Sequence, residues 1–215
     1  MNTKLQMTLA AGDYDSIAAL KDGTVKPDGI ELTILTDMTA EVRHARMLRG
    51  RQFDVAELSM SNYMVAKDND LAFIAIPVFL HRRFRHGFAF VNTTKGIDKP
   101  TDLIGKKVGV GSYHATSNLW LRGILEHDFN VPHNQIHWFK EVEEKIPWQA
   151  PPGLSIQKTL TGKNIVDMLL AGELDAVIDP EVIPPVANKD PRVRRLFPNY
   201  RDLEIDYFKR TGIFP

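Results

Sequence analysis

Short β-rich runs alternate with helical patterns from the start of the chain. Leu5 to Ala11 reads as a strand, and Gly12-Asp13-Tyr14-Asp15-Ser16 as a turn whose acidic and hydroxyl side chains suit the cap of a helix through Leu20. Ile30 to Leu35 alternates as a second strand. Thr39 then opens a helix that sets Val42, Ala45 and Leu48 on one face and ends at Gly50. Phe53-Asp54-Val55-Ala56-Glu57-Leu58 is a third strand, closed by Ser59-Met60-Ser61-Asn62, a hydroxyl-rich helix start. Phe73 to Phe79 and Gly87 to Val91 are two further strands around the basic insert His81-Arg82-Arg83-Phe84-Arg85-His86.

A fresh series begins after Pro100. Val108-Gly109-Val110-Gly111 leads through Ser112-Tyr113-His114-Ala115-Thr116-Ser117, which supplies caps, into a helix from about Ala115 to His127 with Leu119, Trp120, Gly123 and Ile124 on one face. Strands at Ile136 to Phe139 and Leu174 to Ile178 follow, separated by a Pro-rich loop and a helix from about Asn164 to Ala171. Asp179-Pro180 breaks the last strand, and a charged helical pattern runs on to Lys209. This repetition predicts an α/β protein with largely parallel strands. We expect one lobe from 1-92 plus 199-215 and a second from 93-198, hinged near Asn92 to Lys99 and near Pro198. The Pro151-Pro152 and Pro184-Pro185 pairs read as loop stiffeners.

Composition narrows the chemistry. Lys+Arg and Asp+Glu number 27 each in 215 residues, so no global field draws the chain to nucleic acid or to an anionic membrane, and neither is expected as a partner. The absence of cysteine removes disulfides, thiolate nucleophiles and cysteine-bound zinc. No run of about 18 apolar residues exists to span a bilayer. Met1-Asn2-Thr3-Lys4 enters the first strand without an export signal, which gives a cytoplasmic expectation. Metal is not expected: His81 and His86 would fall on opposite faces of a strand, and Pro132 argues against a helix pairing His133 with His137. HExxH, P-loop and GxSxG patterns are absent, and Gly109-Val110-Gly111 lacks the third glycine of a dinucleotide fingerprint.

Three helix starts follow strand C-termini, where ligands of open α/β sheets sit: Asp13 to Ser16, Ser59 to Asn62 and Ser112 to Ser117. Each is explained by ordinary capping. Taken together they suggest convergence on an anion. The cluster of His81, Arg82, Arg83, Arg85 and His86 is the densest basic stretch, with surface pairing the better reading for Arg82 and Arg83.

Gly12-Asp13-Tyr14-Asp15, Phe53 to Ser59, Ile76-Pro77-Val78-Phe79, Phe84-Arg85-His86, Pro191 to Pro198 and Arg210 to Pro215 resemble blocks of 4,5-dihydroxyphthalate decarboxylase along nearly the whole chain. The resemblance implies a two-lobed type II periplasmic-binding-protein-like fold, each lobe a mostly parallel sheet flanked by helices. It also implies a decarboxylase of a dihydroxylated aromatic dicarboxylate, with no cofactor; a loosely bound divalent ion and a homo-oligomer stay open. In that family the chain continues for roughly one small domain beyond a block like Thr211 to Pro215, so the first lobe is expected to be incomplete here. Family members tend to carry an amide side chain where this sequence has His114.

On this resemblance, with side-chain chemistry, Arg85 would hold a carboxylate of the small aromatic ligand. His86 would donate a proton to ring carbon, and Asp13 or His114 would take the phenol proton. Tyr14, Ser59, Ser61, Tyr113, Thr116 and Asp179 would add ligand contacts. The same fold serves transporter receptors, so a non-catalytic solute-binding protein for an aromatic or heterocyclic carboxylate is the alternative.

Overall fold

The computed structural model describes residues 4–159 and 162–215. Residues 1–3, where the chain was read as starting without an export signal, lie outside the described residues. The chain divides into two compact units, Met1–His81 and Arg82–Pro215.

The first unit runs β1 (Leu5–Ala10), α1 (Ala18–Lys21), β2 (Ile30–Leu35), α2 (Ala40–Gly50), β3 (Val55–Ala56) and α3 (Met60–Asp68). Its strands form a parallel sheet in the order β2-β1-β3, with Leu5 opposite Ile30 and Ala10 opposite both Leu35 and Ala56. The Thr39 side chain caps α2 by accepting from the Val42 N–H at 3.4 Å. Glu41 in the first turn and Arg49 in the last complement the helix dipole, and Arg51 closes the helix in the left-handed region with φ 47°. The buried side of α2 differs from the apolar stripe expected. Of that stripe Leu48 is buried and Ala45 half-buried but Val42 is exposed, while Arg43 is buried because it finds an acidic partner inside the unit.

Two expected strands shrink or vanish. The strand drawn over Phe53 to Leu58 is only the pair Val55–Ala56. Phe73 to Phe79 forms no strand: Phe73 is buried, but Ile74, Ile76, Val78 and Phe79 are exposed, Ile74 by 93%. β-propensity expresses itself only where a neighbouring strand takes up the hydrogen bonds, and no sheet here does so for this run.

The second unit contains β4 (Ala89–Asn92), β5 (Lys107–Val110), α4 (Thr116–Phe129), β6 (His137–Lys140), β7 (Ile156–Lys158), α5 (Ile165–Leu170), β8 (Ala176–Ile178), α6 (Pro184–Ala187), β9 (Val193–Arg195) and α7 (Tyr200–Thr211). Six strands lie in the order β7-β6-β5-β8-β4-β9. Pairing is parallel from β7 to β8, while β4 runs antiparallel to both β8 and β9. Both faces are covered. Ala89 and Val91 join Val108, Val110, Leu121, Leu125, Trp138 and Ile178 on one side, and Phe90 joins Ile165, Leu169, Leu174 and Val177 on the other. Strands buried on both faces read as continuous apolar runs, as these do. Gly109 allows close packing here, since a Cβ in its place would lie 2.6 Å from Leu174 Cδ1 and 3.0 Å from Ile165 Cγ2.

These pairings move elements relative to the lobe boundaries expected at 92 and 198. β4 is an inner strand of the second sheet, and α7 packs against the His86–Phe88 turn in the same unit. Three elements were not foreseen: β7 inside the Pro-rich loop, α6 opened by Pro184-Pro185, and β9. Proline is favoured in the first helical turn, so the Pro pair initiates α6 where it was read as stiffening a loop. In α4 the buried residues are Ser117, Asn118, Leu121, Arg122, Ile124 and Leu125; of the face expected, Ile124 is buried and Leu119 is exposed.

Candidate functional site

In the first unit the C-terminal ends of β1 and β3 present one hydrogen-bonded cluster. Glu57, one residue past β3, is aligned by its backbone N–H donating to Ala10 O at 2.8 Å. Its carboxylate accepts from the Gly12 N–H at 2.9 Å, from the Tyr14 hydroxyl at 2.8 Å and from Arg43 Nη2. Arg43, only 1% exposed, also donates from Nη1 to Met38 O at 2.9 Å. Gly12 is needed where it stands: a Cβ there would come within 2.6 Å of the Tyr14 ring as it folds back to Glu57. The Tyr14 ring stacks on His81, centroids 6.0 Å apart.

Burial pushes the Tyr14 phenol up to about 12, and the Glu57 hydrogen bond and charge add to the shift. The folded state therefore favours the neutral phenol. The associated stability is fully present below the unfolded value and is lost as pH rises through about 12. Replacing Tyr14 by phenylalanine is expected to remove no tyrosinate absorbance step near pH 10.0 from a titration of the native chain. Loss of a step there would show that Glu57 does not hold the phenol.

The other first-unit candidates sit nearby in sequence. Asp13 is exposed and paired with Lys21. Ser59 stands at the N-cap of α3 but makes no capping bond to it; its hydroxyl lies 3.1 Å from that of the buried Ser61.

In the second unit the sheet register gathers the remaining candidates at one edge. Val110 at the end of β5 lies opposite both Ile178 of β8 and Lys140 of β6, and Ile178 lies opposite Ala89 at the start of β4. The loop 111–116, Asp179 and the Arg85–Phe88 turn therefore leave the same sheet edge. β5 and β4 are two strand spacings apart there, about 10 Å. This is the C-terminal edge of the parallel strands, where α/β sheets place their ligands. The Asp179 N–H donates to Phe88 O at 3.2 Å, and its carboxylate accepts from the Glu181 N–H at 2.8 Å. Burial pushes the Asp179 carboxyl above the usual range.

Arg85 is 8% exposed, and its Nε and Nη1 are buried with no hydrogen-bond partner among the described residues. Burial, reinforced by the positive charge of Arg83, holds its pKa below the usual arginine range, with Glu181 opposing. Arg43 and Arg195 also leave one nitrogen unpaired. Arg43, however, is neutralised by Glu57, and Arg195 lies over the Phe90 and Tyr200 rings. Arg83 behaves as expected of a surface arginine, binding both oxygens of Glu181 at 2.8 Å. His86, 2% exposed, packs edge-to-face against Phe197 and Tyr207, and burial lowers its pKa, so it is a neutral ring in the interior.

The loop at the head of α4 departs from the capping expected of its hydroxyl residues. Ala115 occupies the N-cap, with no side-chain bond to the helix. The carboxylate of Glu144 fills the role instead. It accepts from Ser112 Oγ at 2.8 Å, the Tyr113 N–H at 2.9 Å and the His114 N–H at 3.1 Å. Its Oε2 also lies 3.5 Å from His114 Nδ1, with both side chains buried. The anion seat expected here is thus taken by the chain's own carboxylate. Tyr113 is a packing residue: its ring lies 3.7 Å beneath the Arg122 guanidinium, stacks on Trp148 at 5.7 Å and meets Trp138 edge-on. Arg122 donates to Tyr113 O at 2.7 Å, fixing the loop on α4. Thr116 begins α4 and is half-buried.

Glu57, Arg43, Glu144 and Arg122 were not among the expected site residues. Glu57 lies inside the block Phe53 to Ser59, which could have drawn attention to it. Glu144 sits in the charged run Glu141-Val142-Glu143-Glu144-Lys145, where nothing distinguishes it from solvated neighbours.

Two curated relatives match the chain from end to end. The 4,5-dihydroxyphthalate decarboxylase of Comamonas testosteroni is 34% identical over 220 residues, 99% of this chain and 66% of the relative. That of Pseudomonas putida is 32% identical over 213 residues, 96% of this chain and 82% of the relative. The chain belongs to the 4,5-dihydroxyphthalate decarboxylase family. It spans just under two thirds of the Comamonas relative's length. No protein-family model matches it. Among solved structures, this family member resembles two periplasmic binding proteins in fold. The aliphatic sulphonate binding protein SsuA from Escherichia coli gives a TM-score of 0.56 at 14% identity, over 97% of this chain and 68% of that one. The alkanesulfonate-binding protein SsuA from Xanthomonas axonopodis pv. citri gives 0.55 at 12%, over 89% and 60%. The family member thus has the expected periplasmic-binding-protein-like α/β fold. Among the described residues no helix is long and apolar enough to cross a membrane.

Proposed function

We propose that this chain carries the binding and proton-transfer groups of a cofactor-independent decarboxylase that converts a 4,5-dihydroxyphthalate-like diacid to a dihydroxybenzoate and carbon dioxide. The observation that carries the reading is Arg85. A buried guanidinium without an acidic partner is costly unless something anionic completes it, and a planar carboxylate matches its fork. The family membership supplies the substrate class.

In the scheme a base removes the proton of the hydroxyl para to the departing carboxylate, and an acid adds a proton to the carbon bearing that carboxylate. The C–C bond then breaks, its electron pair restores the aromatic ring, and carbon dioxide leaves. The phenolate oxygen finally takes a proton back. One proton is consumed for each carbon dioxide released. Arg85 holds the carboxylate that is retained. His114 is the proton-exchanging group that the geometry favours: it is buried beside a carboxylate at the ligand-binding edge of the sheet, whereas Asp13 is tied to Lys21 and His86 is enclosed by aromatic rings. The product would feed aromatic catabolism, so the activity is assigned to the cytoplasm, with the enzymes that consume it.

The test is incubation of the purified chain with 4,5-dihydroxyphthalate, with chromatography for dihydroxybenzoate and trapping of carbon dioxide. Equimolar appearance of the two is expected. Binding with the diacid recovered unchanged would overturn the reading in favour of a solute-binding protein.

A further inference from the structure

We propose, resting on the decarboxylase reading for the substrate, that Asp179 is the catalytic acid that delivers a proton to the ring carbon losing its carboxylate. The donor expected from the sequence, His86, is enclosed by Phe197 and Tyr207, which leaves that step without a group. Asp179 follows β8, the strand between β5 and β4 in the sheet. Its N–H donates to Phe88 O at 3.2 Å, so it stands beside the Arg85–Phe88 turn. On the other flank the register of Val110 opposite Ile178 sets Gly111 next to it. A Cβ on Gly111 would meet nothing within 4 Å, so the end of β5 leaves open space beside Asp179.

The order of groups along this edge matches the order of reacting atoms in the diacid. A phthalate carries its two carboxylates on adjacent ring carbons, so the acid acting on one must stand close to the cation gripping the other. Asp179 and the Arg85 turn meet this condition, since they leave neighbouring strands, about 5 Å apart. The hydroxyls of 4,5-dihydroxyphthalate sit at the opposite end of the ring. With its retained carboxylate on Arg85 they reach across Asp179 toward the open end of β5.

The surroundings keep a proton on the carboxyl. Asp179 is half-buried, and it accepts a hydrogen bond from the Glu181 N–H at 2.8 Å, within its own turn. Among the described residues no cation pairs with it: Arg83, from the segment before β4, donates to Pro180 O and to both oxygens of Glu181 instead. Arg85 lies on that same segment, and the β5 side offers the uncharged Gly111. Burial pushes the Asp179 carboxyl up and the Glu181 charge adds to the rise, while the Glu181 N–H opposes it. A bound dianion raises it further. In the reaction the Asp179 O–H bond breaks and a C–H bond forms at the ring carbon. The C–C bond to the carboxylate then breaks, its electron pair restores the aromatic ring, and carbon dioxide leaves. Asp179, now a carboxylate, takes one proton from solvent, the proton consumed in each turnover.

The test pairs carbon NMR with turnover. In the unaltered chain the 13C carboxyl resonance of Asp179 is expected to titrate above the usual aspartate range, and at still higher pH with 4,5-dihydroxyphthalate bound. A titration indifferent to the diacid would overturn the assignment without any variant being made. Asp179→Asn keeps an acceptor for the Glu181 N–H and gives up the acid, so kcat is expected to fall roughly 10²-fold or more with KM within about threefold. A raised KM with kcat retained would make Asp179 a binding contact only and sink the proposal. The kcat of the unaltered chain should decline as pH rises through the Asp179 value, and the residual rate of Asp179→Asn should lack that limb; an identical limb in both counts against the acid. Urea denaturation of ligand-free Asp179→Asn at neutral pH is expected at the same midpoint or higher, because a carboxyl raised by burial destabilises the fold once it ionises. A clearly lower midpoint would mark a structural aspartate. Should the unaltered chain release no carbon dioxide, the decarboxylase reading itself fails, and the carboxyl titration with and without the diacid still decides whether Asp179 meets it.

Discussion

Arg85→Met is expected to weaken binding of 4,5-dihydroxyphthalate by roughly 10²- to 10³-fold, the loss that follows when one partner of a buried, hydrogen-bonded charge pair is removed. The same substitution is expected to leave the ligand-free chain as stable as before, or more so. Arg85 is buried, its Nε and Nη1 have no hydrogen-bond partner among the described residues, and its neighbour Arg83 repels it. An apolar side chain of similar length removes that burden. A structural arginine would give the opposite combination of lower stability with binding retained. Titration calorimetry and urea denaturation on the same protein separate the two. Affinity within about threefold of the unaltered chain would remove Arg85 from the site. Arg85→Lys should recover only part of the binding, because an ammonium cannot reproduce the two parallel bonds of a guanidinium.

Glu57→Ala is expected to cost the first unit about 3–5 kcal/mol, most of what a small domain has. The substitution strands the buried Arg43 cation and removes the acceptor from both the Gly12 N–H and the Tyr14 hydroxyl. Denaturation followed through a first-unit probe should show an early transition while the second unit is unaffected. A diagnostic control is the pair Arg43→Met with Glu57→Leu, which replaces the buried ion pair by apolar volume and should recover much of the loss. A loss below about 1 kcal/mol in Glu57→Ala would mean that water replaces the carboxylate there.

Much of this architecture was legible in the chain. Alternation at Ile30 to Leu35, the Thr39 start and the apolar runs at Val108 and Ala176 are local signals, and the elements stand where those signals lie. What was hidden depends on partners distant in sequence. Phe73 to Phe79 has strand composition and no strand pairing, while Val193-Arg194-Arg195 has charged residues and becomes an edge strand because β4 lies beside it. The site followed the same rule. Arg85, Asp179 and the loop at His114 could be singled out by chemistry and position. Their common sheet edge emerges only from the register of β5, β8 and β4. Arg43 and Glu144 were invisible because a charge that will be buried looks, in one dimension, like a charge that faces water.

The reversed strand β4 has a consequence for the birth of the protein. Its Phe90 and Val91 are fully buried, and the strands on either side of it, β8 and β9, are made roughly a hundred residues later. On a ribosome adding about 5–20 residues per second, β4 waits roughly 5–20 s without its neighbours. Until then its apolar side chains and unpaired backbone are open to chaperones or to other nascent chains. The first unit has all three of its described strands made by Ala56. Pulse-chase proteolysis of stalled nascent chains should find it protected first, with the second sheet closing in one late step after Arg195 has cleared the exit tunnel.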